Sequence, residues 1–491
     1  MQRIPSYRIT PARQRFSYFD IKAKRAFIHF SNELLAEARK LYPNQIFRIM
    51  TDLGDVVMLP PQFADEIQNE SKLSFSKAFG IDFHAGIPGF EISTLVDLDI
   101  GLQQDLVKKR LTKSLAKITP ILSDEAANAL LTNFGASLEW SEVNIKDCLL
   151  DVVARISSRI FLGDQLCHNK QWLDITKQYT ANFFVGATKL RVYPGIIRRF
   201  VHWYIPECKK LRTQLDEARR VITPVVEQRR KAQQAAVAAG QQVPEFNDAL
   251  EWADQEATAK GIKCDPATFQ LLLSTVAIHT TTDLLVQSMI CIAQHPDIFQ
   301  PLREEISQVL RSRGWTKSAL SNMRLLDSVI KESQRVKPSS IASMRRHVEE
   351  TFQLSNGLVL KKGTRTQVDS RRMWDSDVHE NPEQWDGYRF LRLRLDPKTE
   401  KMARLINTSP SHLGFGHGEH GCPGRFFAAN EIKVVLCHLL IKYDWRLAPE
   451  TNTKPVMIGL LANANPTAKI QILRREQAEL DLDVLLAEPP T

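Results

Sequence analysis

Residues 266 to 295, "PATFQLLLSTVAIHTTTDLLVQSMICIAQH", place apolar side chains on nearly every face of a 3.6-residue turn. That pattern predicts a helix buried on most sides, not one lying half in water. Asp265 is a suitable N-cap, Pro266 fits the first helical position, and Pro296 blocks continuation. Helical periodicity dominates from about 95 to 336, and a second helix is expected over 318 to 336, ahead of Pro338. The flanks read differently. "NQIFRIMTDLGDVVMLP" (44 to 60) predicts two short strands around a turn at Asp52 to Asp55. "FQLSNGLVL" (352 to 360) predicts two β runs around Ser355, Asn356 and Gly357. Helix returns from about 425 to 443, and "DWRLAP" and "AKIQILRR" close the chain with β-like runs. The expected class is α+β, mainly α: a large helical part and a smaller β-rich part.

Composition narrows this picture. At 491 residues and 43% hydrophobic, the chain can bury a substantial core. No linker, internal repeat or long charge block divides it, and the one low-complexity run is "KAQQAAVAAG", residues 231 to 240. One large body is therefore expected rather than three domains. The formal net charge is +9, but the basic residues are spread along the chain and no nucleic-acid motif accompanies them. An acidic protein or an anionic membrane suits that charge better than nucleic acid. The seven cysteines are scattered, odd in number and form no CxxC, which argues for a reducing compartment. No run approaches 18 apolar residues, so no spanning helix is expected, and "MQRIPSYRITPARQRF" lacks the apolar core of a signal peptide.

The candidate chemistry lies in "GFGHGEHGCPGRFFAANE", residues 414 to 431. Gly416, Gly418 and Gly421 spell a dinucleotide fingerprint, but no good strand precedes them and no second strand follows. His412, His417, His420 and Cys422 could gather on one metal ion, though structural zinc usually draws on two spaced ligand pairs and only one stretch is present. In a third reading Cys422 stands before a helix N-terminus, whose free N–H groups and dipole favour a thiolate, among glycines that let backbone approach closely. Such a thiolate is a strong axial ligand for haem iron.

Phe415, Gly418, His420, Cys422 and Gly424 resemble the haem-binding loop of the cytochrome P-450 superfamily, F-x-x-G-x-[RH]-x-C-x-G. Three more motifs stand in that family's order. Glu332 and Arg335 match its E-x-x-R, "QWDGYRF" (384 to 390) supplies Arg389 as third member of the cluster, and "AIHTTT" (277 to 282) sits where the family has A-G-x-[DE]-T-[TS]. The resemblance covers about residues 40 to 475 and is greatest to fungal secondary-metabolism members. It sets residues 1 to 39 apart as a basic N-terminal segment, and 476 to 491 as a tail.

The resemblance implies a haem-thiolate monooxygenase carrying haem b, with Cys422 on iron. Thr281, beside Thr280, is implied in proton delivery to dioxygen, although the family usually has an acid in place of Thr280. Arg346, in preference to Arg345, is implied as a propionate partner together with His420. Arg110 is the candidate in the W-x-x-x-R position, where Leu106 replaces the Trp. An NADPH-dependent flavoprotein reductase is the implied electron source, docking near Lys108, Lys109, Lys113 and Arg425. The implied substrate is a bulky apolar molecule such as a terpenoid, alkaloid or polyketide intermediate. Rival readings are an isomerase or dehydratase needing no external electrons, and a haem protein without oxygenase activity. The implied location is the cytosolic face of the endoplasmic reticulum. The usual N-terminal anchor is not in this sequence, so either it precedes residue 1 or the protein binds peripherally. "LRVYPGIIRRFVHWYIP" (190 to 206) mixes Arg191, Arg198 and Arg199 with aromatic residues and is the expected membrane contact.

Overall fold

The computed structural model describes residues 4–7 and 21–487; residues 1–3 and 8–20 of the basic N-terminal segment and the last four residues of the tail lie outside it. The long helix runs Pro266–Gln294. Asp265 caps it by accepting from the Ala267 N–H at 3.1 Å, and the chain leaves the helix at His295, before Pro296. Its 29 residues extend about 44 Å at ~1.5 Å each, enough to cross the molecule. By length and composition this helix could span a membrane, contrary to the sequence expectation, but 72% of its apolar window is buried inside the protein. It is the axis of the core, packed chiefly against helices Ile145–Leu162, Lys170–Arg191, Pro206–Ala238 and Arg324–Val336.

The expected helix over 318 to 336 is two helices, Lys317–Asn322 and Arg324–Val336. Met323 leaves helical geometry between them and is fully buried, with its sulfur 3.5 Å from Cys437 Sγ. Burying that side chain outweighs continuing the helix.

The β-rich part holds a six-stranded sheet ordered Ser6–Tyr7, Phe47–Thr51, Gly54–Leu59, Arg365–Asp369, Ala342–Val348, Leu73–Ser74. Strands 47–51 and 54–59 form the expected hairpin, and Phe352–Gln353 pairs with Val359–Leu360. "DWRLAP" and "AKIQILRR" become Tyr443–Leu447 and Lys469–Arg474, joined antiparallel with Ser141–Asn144 on the outer edge. Helix Ile21–Leu41 buries Phe27, Leu35 and Ala38 against the six-stranded sheet, so residues 21 to 39 belong to the folded body rather than to a separate segment. Between Ser343 and Arg346 the pairing register shifts, and Met344 takes φ +51°. Such a bulge re-aims the side chains that follow it.

Candidate active site

The Cys422 loop is held by its own backbone. Cys422 N–H donates to Phe415 O at 2.7 Å, and Gly421 N–H to Gly418 O at 3.0 Å. Gly416 and Gly418 have φ of +70° and +76°, a region that disfavours side chains. A Cβ at Gly418 would also lie 2.5 Å from Gln68 Cβ. The helix Arg425–Lys442 starts directly after Gly424, and the backbone N–H groups of Gly424 and Arg425 point at Cys422 Sγ. Burial pushes the Cys422 thiol up, while those N–H groups and the Arg425 charge oppose it. A metal cation bonded to sulfur would remove that burial penalty.

The two competing readings fail on geometry. Ahead of the glycines stand a short helix, Glu400–Ala403, and a bridge between Ser409 and His412, not the strand a dinucleotide site needs. The histidines diverge: His412 is buried on Gln334 Oε1 at 2.9 Å, His417 joins Thr408 and Asp65, and His420 faces the Phe75 ring at 6.2 Å. Among the described residues, the one His/Cys/acid group close enough to share an ion is Glu125, Cys167 and His168, which includes no loop residue.

Across from Cys422 the long helix contributes Thr281. The two faces border one cavity of about 430 Å³, lined also by Phe79, Val107, Leu272, Leu273, Val276, Ala277 and Leu461. Thr280 and Thr282 return their hydroxyls to carbonyls one turn back, Val276 O and Ile278 O, both at 2.8 Å. Thr281 is 3% exposed, and among the described residues its hydroxyl makes no such bond. His420, Arg345, Arg346, Phe415 and Gly424 line the same cavity. Gly418 does not line it; it seats the loop against Gln68 and Asn69.

Arg346 tests whether the site suits an anionic cofactor edge. It is 1% exposed, its Nε has no partner, and its nearest acceptors are the carbonyls of Arg345 (2.8 Å) and Gln68 (3.5 Å). Burial without a counter-charge pulls its pKa down to about 10. Arg345 already has Asp82 at 3.2 Å. The residue left wanting an anion is thus Arg346, as a propionate would require. His420 is half-buried, and its pKa is lowered by that burial and by the nearby Arg346 charge.

Arg110 is a correction. A π turn over Leu106–Leu111 turns Leu106 and Val107 inward. Arg110 points to the surface and pairs with Glu256 at 3.0 Å, away from the cavity. Its place by the cavity is taken by Gln103 and Gln104. Arg425 is also committed, donating to Ile406 O and Cys422 O at 2.9 Å each.

Behind the loop, Glu332 accepts from Arg335 Nε and Nη2 at 2.8 Å each, and from Arg389 Nε at 3.1 Å on both oxygens. Arg335 also holds Met373 O at 2.6 Å, and Arg389 holds Glu380 O at 2.5 Å. Glu332 and Arg335 are fully buried. Three contributors escaped sequence reasoning. Lys331, also fully buried, donates to Met402 O, Arg404 O and Asn407 O, tying this helix to the stretch before the loop. Asp283 and Lys337 form a buried ion pair on the cavity wall. Their only local signal was nearness to Thr281 and Arg335.

A family model described as Cytochrome P450 matches residues 31–474. Cytochrome P450 monooxygenase 2 of Gibberella fujikuroi is 49% identical, over 94% of this chain and 88% of its own length. Cytochrome P450 monooxygenase hepE of Aspergillus oryzae is 46% identical, over 93% and 84%. The solved structure of retinoic acid-bound cyanobacterial CYP120A1 shares the fold, with TM-score 0.65 and 18% identity over 92% of this chain and 96% of that one. With haem b as its implied cofactor and monooxygenases as its relatives, this chain belongs to the cytochrome P450 family.

Proposed function

We propose that the protein oxidises a bulky, apolar small molecule of fungal secondary metabolism, with electrons from an NADPH-dependent flavoprotein reductase. The observation that carries this reading is the cavity between Cys422 and Thr281, whose lining includes five Leu and five Phe side chains alongside its polar groups. Such walls favour an apolar ligand. Cys422 would hold the haem iron, and Arg346 with His420 would meet a propionate. When bound, the haem supplies the oxygen-activating chemistry. Thr281 presents a hydroxyl that is not spent on its own helix, and so can hold or pass a proton at the cavity face. Thr280, bonded to Val276 O, is the weaker candidate.

The carbon-monoxide difference spectrum of the reduced protein tests the ligand. Cys422→Ser should abolish the red-shifted band of a thiolate-ligated haem, and Cys437→Ser should leave it, because Cys437 lies buried against Met323. A band that survives in the Cys422 variant overturns the assignment. Product formation that requires reductase and NADPH separates a monooxygenase from an isomerase or dehydratase.

We also propose that the protein works at the cytosolic face of the endoplasmic reticulum. What supports this is an exposed apolar face over residues 193 to 204, with Ile196 at 84% and Tyr204 at 86% exposure.

A further inference from the structure

We propose that the protein carries a second small-molecule site, for an organic anion with an apolar body, on the side of helix Arg425–Lys442 turned away from the haem cavity. A cavity of about 580 Å³ lies there, within the range of about 300–1,000 Å³ usual for small-molecule sites. The two cavities share no lining residue. Phe427, Ala428 and Ile432 face the first; Phe426, Ala429 and Lys433 face the second.

The second cavity is built in two parts. Leu115, Leu320 and Ala429 are buried, and with Ile406 and Phe426 they make its interior apolar. Lys317, Arg324 and Arg404 line it from exposed positions. Five cations in all meet two carboxylates, Asp327 and Glu400. Asp327 is already shared by Arg394 at 3.5 Å and Lys433 at 2.5 Å, and Glu400 is bound by Arg404 at 2.7 Å. Among the described residues, Lys317 and Arg324 form no direct ion pair, although the Arg324 charge is felt at Glu400. The lining therefore keeps a positive excess at its solvent side. An inorganic ion would leave the apolar interior empty, and a neutral apolar molecule would leave the cations unmet. A carboxylate, sulfonate or phosphate joined to an aliphatic or aromatic body satisfies both.

The occupant would be felt at the sulfur loop. Arg425 lies 4.7 Å over the Phe426 ring, and it bridges Ile406 O to Cys422 O. Phe426 and Ile406 are cavity lining, so a body seated there presses on the group that holds the Cys422 carbonyl.

The test uses the haem-loaded protein with its first cavity closed by an azole that ligates the haem iron. The probe is 1-anilinonaphthalene-8-sulfonate, followed by fluorescence titration, and the neutral control is N-phenyl-1-naphthylamine. We expect one saturable equivalent of sulfonate with the azole in place and no saturable binding of the amine. Arg324→Glu should raise the sulfonate Kd at least tenfold, whereas Lys108→Glu, outside the cavity, should leave it unchanged. Arg324 is exposed and forms no direct ion pair, so its variant should retain the fold, with an intact carbon-monoxide spectrum as the check. Displacement of the sulfonate by the azole, equal binding of the neutral amine, or an unchanged Kd in Arg324→Glu each overturns the proposal. So does an Arg324→Glu variant that loses reductase docking while its sulfonate binding stays intact, because the cavity cations would then belong to a protein-docking face.

Discussion

A guanidinium buried without an anion costs several kcal/mol unless something charged reaches it. Arg346 is in that state, and the bulge at Met344 is what aims it into the cavity. Thr281 is a milder case: a buried hydroxyl whose neighbours both bond back to their own helix while it does not. If Thr281 handles the proton at the cavity face, Thr281→Ala should keep haem content and the thiolate spectrum, yet divert most NADPH consumption into peroxide. Coupling equal to the parent protein would assign the proton route to Thr280 or to water. Glu431 makes a separate prediction about stability. It is fully buried on the helix behind Cys422, Ser157 donates to its Oε1 at 2.8 Å, and its Oε2 has no partner. Burial raises its pKa from 4.5 to about 8. The folded protein then keeps a proton that the unfolded chain releases between those values. That stabilising contribution is complete below about 4.5 and is lost as pH rises toward 8, at about 1.4 kcal/mol per pH unit. Glu431→Gln removes the dependence. Its stability relative to the parent should therefore climb from pH 5 to pH 8 in thermal melts, and parallel pH profiles for the two proteins would contradict it.

At the scale of elements, the buried Glu332–Arg335–Arg389 cluster ties helix Arg324–Val336 to the loop around residues 380 to 389. Removing Glu332 leaves two buried guanidiniums facing each other. Glu332→Gln should cost about 3–5 kcal/mol and lower both the urea midpoint and the yield of haem-loaded protein; an unchanged midpoint would reduce the cluster to an ordinary ion pair. Elements whose signals are local were legible in the sequence. The long helix began and ended where Asp265, Pro266 and Pro296 dictate, and the Cys422 loop could be read because its glycines, cysteine and following helix are contiguous. Elements set by distant partners were not. The break at Met323 depends on packing against Cys437, more than a hundred residues on. Arg110 was drawn outward by Glu256 and by a π turn that no hydrophobic spacing announces. Gln68 and Phe75 reach the Cys422 loop from the stretch after the first hairpin, more than three hundred residues away in the chain, so nothing short of the fold assembles them.

At the scale of the whole molecule, the charge and apolar patterns meet at one face. Helix Gly195–Val201 buries none of its residues, and Ile196, Phe200, Trp203 and Tyr204 stand 84%, 67%, 56% and 86% exposed. Exposed aromatic and aliphatic groups gathered on one short segment mark a contact surface rather than scattered surface residues. The basic residues expected there are mostly committed elsewhere: Arg191 turns inward to Asp52 at 2.7 Å, and Arg198 donates to Tyr193 O at 2.8 Å. The contact is therefore apolar first and electrostatic second, which changes its expected salt response. Burying each of these side chains in the bilayer interface contributes about 1.5–3 kcal/mol, a term that salt does not screen, whereas the attraction of a +9 chain for anionic lipid fades over a Debye length of about 8 Å at physiological ionic strength. Flotation of the 491-residue chain with anionic liposomes should recover protein with the vesicles at low salt and retain part of it at high salt. Phe200→Asp combined with Trp203→Asp should abolish the salt-resistant fraction. Protein that stays wholly in the soluble fraction at low salt would remove peripheral binding, and salt-resistant flotation of the double variant would move the membrane contact away from this helix.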